Sequence, residues 1–351
     1  MDGNAVVYCE GAFNTTNGKT AHGVVRYTKR YNVIAVIDSQ YAGQDAGKVL
    51  DNKENQIPIT ANLNDALQTA IRMKKKISHF VVGLAPDGGR LDNQTKEAII
   101  EAIQSGLNID SGLHDFISEN VDIKKLIKHN VQIRDIRKTP SRDKLHFFCG
   151  KISEVHSLKI AILGTDSAVG KRTTALKLLE SLKSKGVKTE LIGTGQTAWL
   201  QGVKYSIILD SLINDFVAGE IENIIWEAWK NERPEVIIIE GQGSIMHPAY
   251  PGGFEILTAG RPDMVIVQHA PGRKEYDGFP GYPVHPLKNQ INVIELISGK
   301  PVIAVTINDE NLNIHDRNHA YKQIQTETGL PVCNPLVENV DQIAEIIIKR
   351  L

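Results

Sequence analysis

The sequence is poor in cysteine, has no excess of charge of either sign and contains no long apolar run. Three cysteines, Cys9, Cys149 and Cys333, are too few and too scattered for a disulfide framework or a zinc knuckle. Lysine and arginine total 40 against 41 for aspartate and glutamate, so charge does not favour nucleic acid or an anionic membrane as a partner. No apolar run approaches the roughly 20 residues that span a bilayer, and the first residues lack the features of a signal peptide. We therefore expect a cytoplasmic protein.

Short β-branched segments alternate with helical segments along the chain, which is typical of parallel sheets covered by helices. The predicted fold class is therefore α/β. A polar, basic segment from Arg137 interrupts this alternation before the apolar run KIAIL at Lys159. Because domains usually contain about 150 residues, we predict a Rossmann-like N-terminal domain at residues 1–155 and a second domain at residues 156–351.

The stretch KIAILGTDSAVGKRTTALKLLE, from Lys159, has the order strand, glycine loop and helix of a phosphate-binding loop, or P-loop. Backbone N–H groups and the helix N-terminus of such a loop face the anion, and a lysine binds it. The second domain is therefore predicted to be P-loop NTPase-like. The predicted phosphate-binding residues are Gly164, Thr165, Asp166, Gly170, Lys171, Arg172 and Thr173.

The loop departs from the usual pattern G-x-x-x-x-G-K-[ST] at two positions. Gly164 lies one residue early, and Arg172 replaces the hydroxyl residue that serves as a magnesium ligand. This version resembles the loop of dethiobiotin synthetase, so the early glycine does not exclude phosphate binding. Arg172 calls the magnesium ligand, and with it nucleotide hydrolysis, into question. Thr173 supplies the missing ligand only if the helix starts one residue later.

Two further segments are expected to face the same crevice. In EVIIIEGQGSIMHPAY, Glu240 ends an apolar strand, and ligands of a parallel α/β sheet lie outside the carboxyl ends of its strands. Glu240, Gln242 and Ser244 are therefore predicted to lie beside the P-loop, unless Glu240 only caps the turn that follows. The proline- and glycine-rich segment QHAPGRKEYDGFPGYPVHPL, from Gln268, is predicted to be a binding loop, with a rigid exposed loop as the alternative.

Two weaker signals complete the candidate set. The segment GTGQTAWLQG, from Gly193, either lines the substrate pocket through Gln196 and Thr197 or forms a simple turn. In the first domain, Lys19 and Thr20 stand at a predicted helix start, where an ordinary helix cap explains them as well as a ligand does.

Taken together, the strings GTDSAVGKRTTAL, GTGQT, DFVAGE, EGQGSIMHPAY and QHAPGRKEYDGFPGYPVHPL resemble the D-glutamate N-acetyltransferase (DgcN-like) family, formerly a domain of unknown function. The resemblance covers both halves and is more specific in the second. It implies transfer of an acetyl group from acetyl-coenzyme A (acetyl-CoA) to the amino group of D-glutamate. CoA carries a 3′-phosphate and a diphosphate, so a P-loop can hold this donor without cleaving a phosphoanhydride, which is compatible with Arg172.

This reaction needs a base, hydrogen-bond donors for the developing oxyanion and a cation for the acidic acceptor. The candidate bases are Glu240, His247 and His285. Gln242 and loop N–H groups are candidates for the oxyanion. Arg273 is the predicted partner of the acceptor carboxylate because a guanidinium binds a carboxylate bidentately, and Tyr276 of the same loop joins the substrate-binding set.

Two other functions remain open from the sequence. One is an ATP- and magnesium-dependent ligase of the dethiobiotin synthetase type, in which Lys171 and Mg²⁺ activate a carboxylate. The other is a non-catalytic nucleotide-binding switch protein, although no polybasic face or amphipathic tail indicates a protein partner. We expect small-molecule substrates, neither nucleic acid nor membrane as a partner, no resident metal in the transferase, and a homo-oligomer, since such assemblies are common among soluble enzymes.

Overall fold

The computed structural model describes residues 1–127 and 130–351, with all side chains in these ranges except that of Asp87. The described residues form two compact units. The first contains residues 1–140 and 196–203, and the second contains residues 141–195 and 204–351. Each unit is built around one parallel sheet, of six described strands in the first and seven in the second. The predicted class, two α/β domains with parallel sheets, is confirmed.

The sheet of the first unit has a Rossmann-like strand order. Its strands are β1 (Gly3–Tyr8), β2 (Tyr31–Ile37), β3 (Ile59–Thr60), β4 (His79–Val82), β5 (Asn108–Ser111) and β6 (Ile133–Asp135). They pair in the order β3-β2-β1-β4-β5-β6, which reverses direction beside β1 as in dinucleotide-binding folds. Every residue of β4 is buried, as expected for a strand whose two faces are both covered.

The sheet of the second unit brings the three segments with predicted site residues to one edge. Its strands are β7 (Leu158–Gly164), β8 (Thr189–Gly193), β9 (Tyr205–Ser206), β10 (Val236–Glu240), β11 (Met264–His269), β12 (Val302–Ile307) and β13 (Val332–Cys333). The order is β13-β12-β11-β7-β10-β8-β9, so β7 lies between β11 and β10. Because these strands are parallel, Gly164, Glu240 and His269 end at the same edge.

The helices cover these sheets and follow the predicted alternation. They are α1 (Lys19–Arg26), α2 (Ala46–Asp51), α3 (Leu63–Arg72), α4 (Asn93–Gln104), α5 (Val121–Lys124), α6 (Lys171–Ser184), α7 (Gln196–Leu200), α8 (Asn214–Glu232), α9 (Phe254–Thr258), α10 (Leu287–Ser298), α11 (Ile314–Thr328) and α12 (Asp341–Ile348). Side-chain caps start several of them; Asn62, for example, accepts the N–H of Asp65. Within the described ranges, no helix is long and apolar enough to cross a bilayer.

The division between the units differs from the sequence-based boundary. The contacts divide after residue 140, whereas the sequence places the change near residue 155. The intervening segment packs on the second unit, because the N–H groups of Cys149 and Ile152 donate to Glu222 of α8. Glu222 is buried and receives both hydrogen bonds. The polar stretch is therefore part of the second unit's packing.

Residues 196–203 belong to the first unit although they follow β8 in the chain. The N–H of Lys29 donates to the carbonyl of Gln201 at 2.9 Å. The guanidinium of Arg30 donates to the carbonyl of Trp199 at 2.8 Å and lies 3.7 Å from the centre of its ring. Hydrogen bonds and a cation–π contact therefore hold this segment in the first unit. Neither contact could be predicted from its turn-like sequence.

Candidate functional site

The P-loop joins β7 to α6 and has the backbone that its glycines permit. Gly170 has a φ of +109°, a region that side chains rarely adopt. A Cβ atom at Gly164 would lie 2.9 Å from Nζ of Lys171, so any side chain there would require the lysine to move. Nζ of Lys171 donates to the carbonyls of Asp166 at 2.7 Å and of Gly243 at 2.8 Å. The lysine is thus buried across the loop, and the turn after β10 lies against the P-loop as predicted.

Arg172 pairs with the carboxylate that ends β10. Its NH1 lies 3.4 Å from Oε1 of Glu240, and Oε2 of Glu240 accepts the N–H of Thr194 at 3.1 Å. The hydroxyl of Thr194 donates to the backbone carbonyl of Glu240 at 3.0 Å and accepts from Nε2 of Gln242 at 2.8 Å. Glu240 is only 4% exposed. The predicted pair Glu240 and Gln242 therefore lies in one hydrogen-bonded group beside the P-loop helix.

The residues around Glu240 do not fit a magnesium ion. A P-loop hydroxyl and an acidic residue normally hold that ion, but here a guanidinium stands in the hydroxyl position and already neutralises the carboxylate. The helix α6 begins at Lys171, so Thr173 lies within its first turn and does not move into the ligand position. Within the described residues, no group of three or more histidine, cysteine, aspartate or glutamate side chains is arranged to hold a metal.

Gln268, which the sequence did not single out as a site residue, connects the P-loop to two strands. Its carbonyl accepts the N–H of Thr165 at 3.0 Å, and its Oε1 accepts the hydroxyls of Thr174 at 2.5 Å and Thr306 at 2.6 Å. The next residue, His269, contacts the hydroxyl of Thr165 through Nδ1 at 2.9 Å. Burial lowers the pKa of His269 to about 4. The sequence contained a signal for Gln268 and His269, because they are two polar residues at the end of a buried strand beside β7.

Gln290 of α10 joins three segments of the site and was also missed. Its Oε1 accepts the hydroxyl of Ser244 at 2.8 Å. Its Nε2 donates to the carbonyl of Thr165 at 3.3 Å and to that of His285 at 3.1 Å. The P-loop, the turn after β10 and the proline-rich loop are therefore tied to one buried amide. No local pattern could have indicated this residue, because its role depends on where α10 packs.

Arg273 is buried between the P-loop and Glu310. Its NH1 donates to Oδ2 of Asp166 and to the carbonyl of Ser167, both at 2.7 Å, and its Nε donates to Glu310. Burial lowers the pKa of Arg273, but the bonds to Glu310 and Asp166 outweigh it and raise the pKa. The backbone N–H of Asp277 donates to the same Asp166 carboxylate at 3.0 Å. Arg273 therefore holds the proline-rich loop against the P-loop, a contact that the prediction of a substrate-binding arginine did not include.

His247 lies in an aromatic cage with both ring nitrogens directed at protein atoms. Its Nδ1 accepts the N–H groups of Ala249 at 3.0 Å and Tyr250 at 2.9 Å. Its Nε2 lies 3.3 Å from Oδ1 of Asp166, close enough for an ion pair but without the alignment of a hydrogen bond to any described residue. Burial lowers the pKa of His247, although Asp166 opposes the shift. The imidazole is therefore neutral near pH 7, with its proton on Nε2.

Tyr276 and His285 form a second imidazole environment in the proline-rich loop. The hydroxyl of Tyr276 lies 3.1 Å from the carbonyl of Met246 and 2.9 Å from Nδ1 of His285. Tyr276 is buried and its ring packs 4.5 Å from that of His247, whereas His285 is exposed. The structure therefore places two of the predicted site residues in direct contact.

Gln196 and Thr197 lie in the first unit, on α7. Oε1 of Gln196 accepts NH2 of Arg137 at 3.0 Å. The hydroxyl of Thr197 lies 3.0 Å from that of Thr20, so these two residues share a hydrogen bond inside the first unit. Both α7 side chains are buried. Their predicted role in substrate binding remains a prediction, and Thr20 has a partner that the sequence did not indicate.

The fold and the site define a class: a two-unit α/β protein whose second unit holds a P-loop with an arginine in the magnesium-ligand position. Within that class, the chain belongs to the family catalogued as a domain of unknown function, DUF1611. Its P-loop domain matches residues 146–344, and its Rossmann-like N-terminal domain matches residues 39–139. The family resemblance predicted from the sequence is confirmed.

Three relatives support this membership. A protein of Pseudoalteromonas sp. named D-glutamate N-acetyltransferase is 31% identical over 75% of this chain and 79% of its own. A protein of Tritonibacter scottomollicae with the same name is 26% identical over 76% of this chain and 80% of its own. The crystal structure of a DUF1611 family protein from Anabaena variabilis is 26% identical and covers 99% of both chains with a TM-score of 0.89.

Proposed function

We propose that this protein transfers an acetyl group from acetyl-CoA to the amino group of D-glutamate or a related acidic amine, with the P-loop binding the phosphates of CoA. The observation that carries the proposal is the pair of Arg172 and Glu240, which puts a guanidinium where a P-loop hydrolase needs a magnesium ligand. The names of the two bacterial relatives support an acyl transfer on D-glutamate.

The phosphate-binding role follows from the loop itself. The N-terminus of α6 presents backbone N–H groups and the positive end of the helix dipole. Lys171 adds a point charge that is now bound to two carbonyls, which a phosphate can replace as acceptors. The CoA diphosphate is not cleaved during acyl transfer, so it needs binding but no magnesium-assisted leaving group. A loop with Arg172 suits this ligand.

The transfer step moves two protons as well as the acetyl group. An ammonium acceptor loses one proton to a base, and its nitrogen attacks the thioester carbon. The C–N bond forms, the C–S bond breaks, and the CoA thiolate leaves. The second N–H proton ends on the thiolate, so the products are the N-acetyl amino acid, CoA with a free thiol, and one released proton.

The acceptor carboxylates require cationic or N–H partners. Arg273 is the predicted partner, and its guanidinium already forms ion pairs with Asp166 and Glu310. These carboxylates are bound through Nε and NH1, so an acceptor carboxylate can pair with NH2 of Arg273 while both bonds are kept. Oxyanion stabilisation is assigned to loop N–H groups and Gln242, and the loss of one such donor typically costs about 3–4 kcal/mol.

The test is a two-arm assay with purified protein. In the first arm, acetyl-CoA is mixed with D-glutamate or L-glutamate, free thiol is followed by absorbance, and the N-acetyl product is identified by mass spectrometry. In the second arm, ATP with Mg²⁺ replaces acetyl-CoA and phosphate release is measured. We expect thiol release and N-acetyl-D-glutamate in the first arm and little phosphate in the second. Robust magnesium-dependent phosphate release without acetyl transfer would instead favour the ligase.

A further inference from the structure

The three candidate bases differ in whether a lone pair is available to a substrate. Both oxygens of the Glu240 carboxylate have partners, since Oε1 pairs with Arg172 and Oε2 accepts the N–H of Thr194. In His247, Nδ1 accepts two backbone N–H groups, so its only proton is on Nε2, beside Asp166. The neutral ring of His247 therefore has no lone pair directed away from the protein.

His285 is different because its hydrogen bond fixes the opposite tautomer. The Tyr276 hydroxyl has one proton, and the carbonyl of Met246 can only accept. The two hydrogen bonds of that hydroxyl form together only if it donates to Met246 and accepts the proton of Nδ1 of His285. In the neutral imidazole this leaves the lone pair on Nε2. His285 is an exposed residue, as the approach of a ligand to this nitrogen requires.

Tyr276 is well placed to hold this arrangement. Only 3% of its surface is exposed, and its ring packs against the buried His247. Burial raises the pKa of Tyr276 above its usual value, so the hydroxyl keeps its proton at neutral pH and continues to donate to the Met246 carbonyl. The chain from carbonyl to hydroxyl to imidazole is therefore stable over the pH range in which an amine acceptor would be acetylated.

The backbone of His285 is also fixed beside the P-loop. Nε2 of Gln290 donates to the carbonyl of His285 and to that of Thr165, the second residue of the loop. Both carbonyls therefore lie within hydrogen-bond distance of one nitrogen atom. A donor whose phosphates occupy the P-loop has its binding site next to the chain segment that carries this imidazole.

We propose that His285 is the general base of the acetyl transfer and that Tyr276 is a positioning residue that fixes its tautomer. This inference rests on the proposed function. Nε2 of His285 takes one proton from the acceptor ammonium, the freed amine attacks the thioester carbon, and the C–S bond breaks. The remaining surplus N–H proton passes to the CoA thiolate, and the imidazolium returns its proton to solvent.

The experiment compares His285→Ala, Tyr276→Phe and the matched control His315→Ala. His315 is an exposed histidine of α11 with 91% of its side chain exposed. We expect His285→Ala to lower kcat by about 10²- to 10⁴-fold, with CoA affinity near wild type by calorimetry. Added imidazole should restore part of this kcat in a concentration-dependent way. Tyr276→Phe keeps the ring and removes only the hydroxyl, so it should lower kcat with KM for acetyl-CoA unchanged.

The outcomes separate the base assignment from the proposed function. A wild-type enzyme that acetylates no acidic amine overturns the proposed function, and the base assignment with it. An active wild type together with near-normal kcat in His285→Ala overturns the base assignment alone. A loss of kcat in His285→Ala that is absent from His285→Asn, which keeps a polar side chain but has no basic nitrogen, also overturns it and leaves His285 a structural residue. Circular dichroism and CoA binding report whether each variant is folded.

Discussion

Replacement of Arg172 by threonine should convert the P-loop into one that accepts magnesium with ATP. The change restores the sequence glycine, lysine, threonine at residues 170–172, and it removes the guanidinium that lies 3.4 Å from Glu240. A hydroxyl and an unpaired carboxylate then face each other, which is the ligand set that P-loop hydrolases use for Mg²⁺. We expect wild-type protein to gain no affinity for ATP from Mg²⁺, and Arg172→Thr to gain it.

The size of the effect follows from the burial of the pair. Breaking a buried ion pair costs about 3–5 kcal/mol, and exposed pairs contribute about 0.2–1 kcal/mol. The side chain of Arg172 is 23% exposed and that of Glu240 is 5% exposed, so we expect a loss of about 1–3 kcal/mol in the free energy of unfolding. Magnesium and ATP at a hundredfold excess over Kd should return about 2.7 kcal/mol. The second unit contains about 200 residues, for which 1 kcal/mol shifts Tm by about 2–4 °C.

The assay is thermal unfolding of three proteins with ATP, in Mg²⁺ or in a chelator. Arg172→Thr should unfold about 2–12 °C below wild type without ligand and recover about 5–11 °C with magnesium and ATP. Arg172→Lys is the matched control, because it keeps a cation and adds no hydroxyl. The reasoning is refuted if magnesium stabilises the wild type with ATP as strongly as the threonine variant, or if neither responds.

Three further substitutions test the rest of the site. Lys171→Ala should weaken CoA binding by about 1.5–3 kcal/mol, or roughly 10- to 150-fold in Kd, in calorimetry on a folded variant; unchanged Kd would remove the lysine from the phosphate site. Glu240→Gln removes a negative charge that repels a bound phosphate, so CoA binding should tighten by about 1 kcal/mol, the energy of two unit charges about 4 Å apart in water. A 10²-fold or larger loss of kcat in this variant would instead make the Glu240 carboxylate the base. Arg273→Ala should lower the free energy of unfolding by about 3–5 kcal/mol, because Asp166 is 1% exposed and loses its cation. An unchanged Tm with a raised KM for D-glutamate would show that Arg273 serves the acceptor.

The sequence was sufficient to predict the elements that depend on local pattern. The apolar run before Gly164, the glycine at residue 170 and the periodicity after Lys171 predicted β7, the loop and α6. The position of Glu240 at the end of a β-branched run, together with the rule for parallel sheets, predicted that its turn meets the P-loop. The hydrogen bond from Lys171 to the carbonyl of Gly243 bears out that contact.

The partners of the individual side chains could not be predicted in this way. Arg273 was predicted to bind a substrate carboxylate, but the fold brings Asp166 and Glu310 to it from two other segments. In the sequence, Gln290 cannot be distinguished from other polar residues of an amphipathic helix. Its contact with the P-loop arises only from the position in which α10 packs. Residues 196–203 follow β8 yet belong to the first unit. Each of these depends on contacts between residues far apart in the chain, for which periodicity and spacing contain no information.

The charges around the P-loop explain why Arg172 affects which phosphate ligand the loop can bind. Arg172 pairs with Glu240, and Arg273 pairs with Asp166 and Glu310, whereas Lys171 donates to two backbone carbonyls. The carboxylate that ends β10 is therefore already paired with a cation, and a diphosphate meets backbone N–H groups and the lysine. Exchange of Arg172 for a hydroxyl residue leaves the Glu240 carboxylate without its cation, and Mg²⁺ can neutralise that negative charge. Under the proposed function, the arginine therefore favours a phosphate group that binds without a metal, as in CoA, over a nucleotide that binds with one.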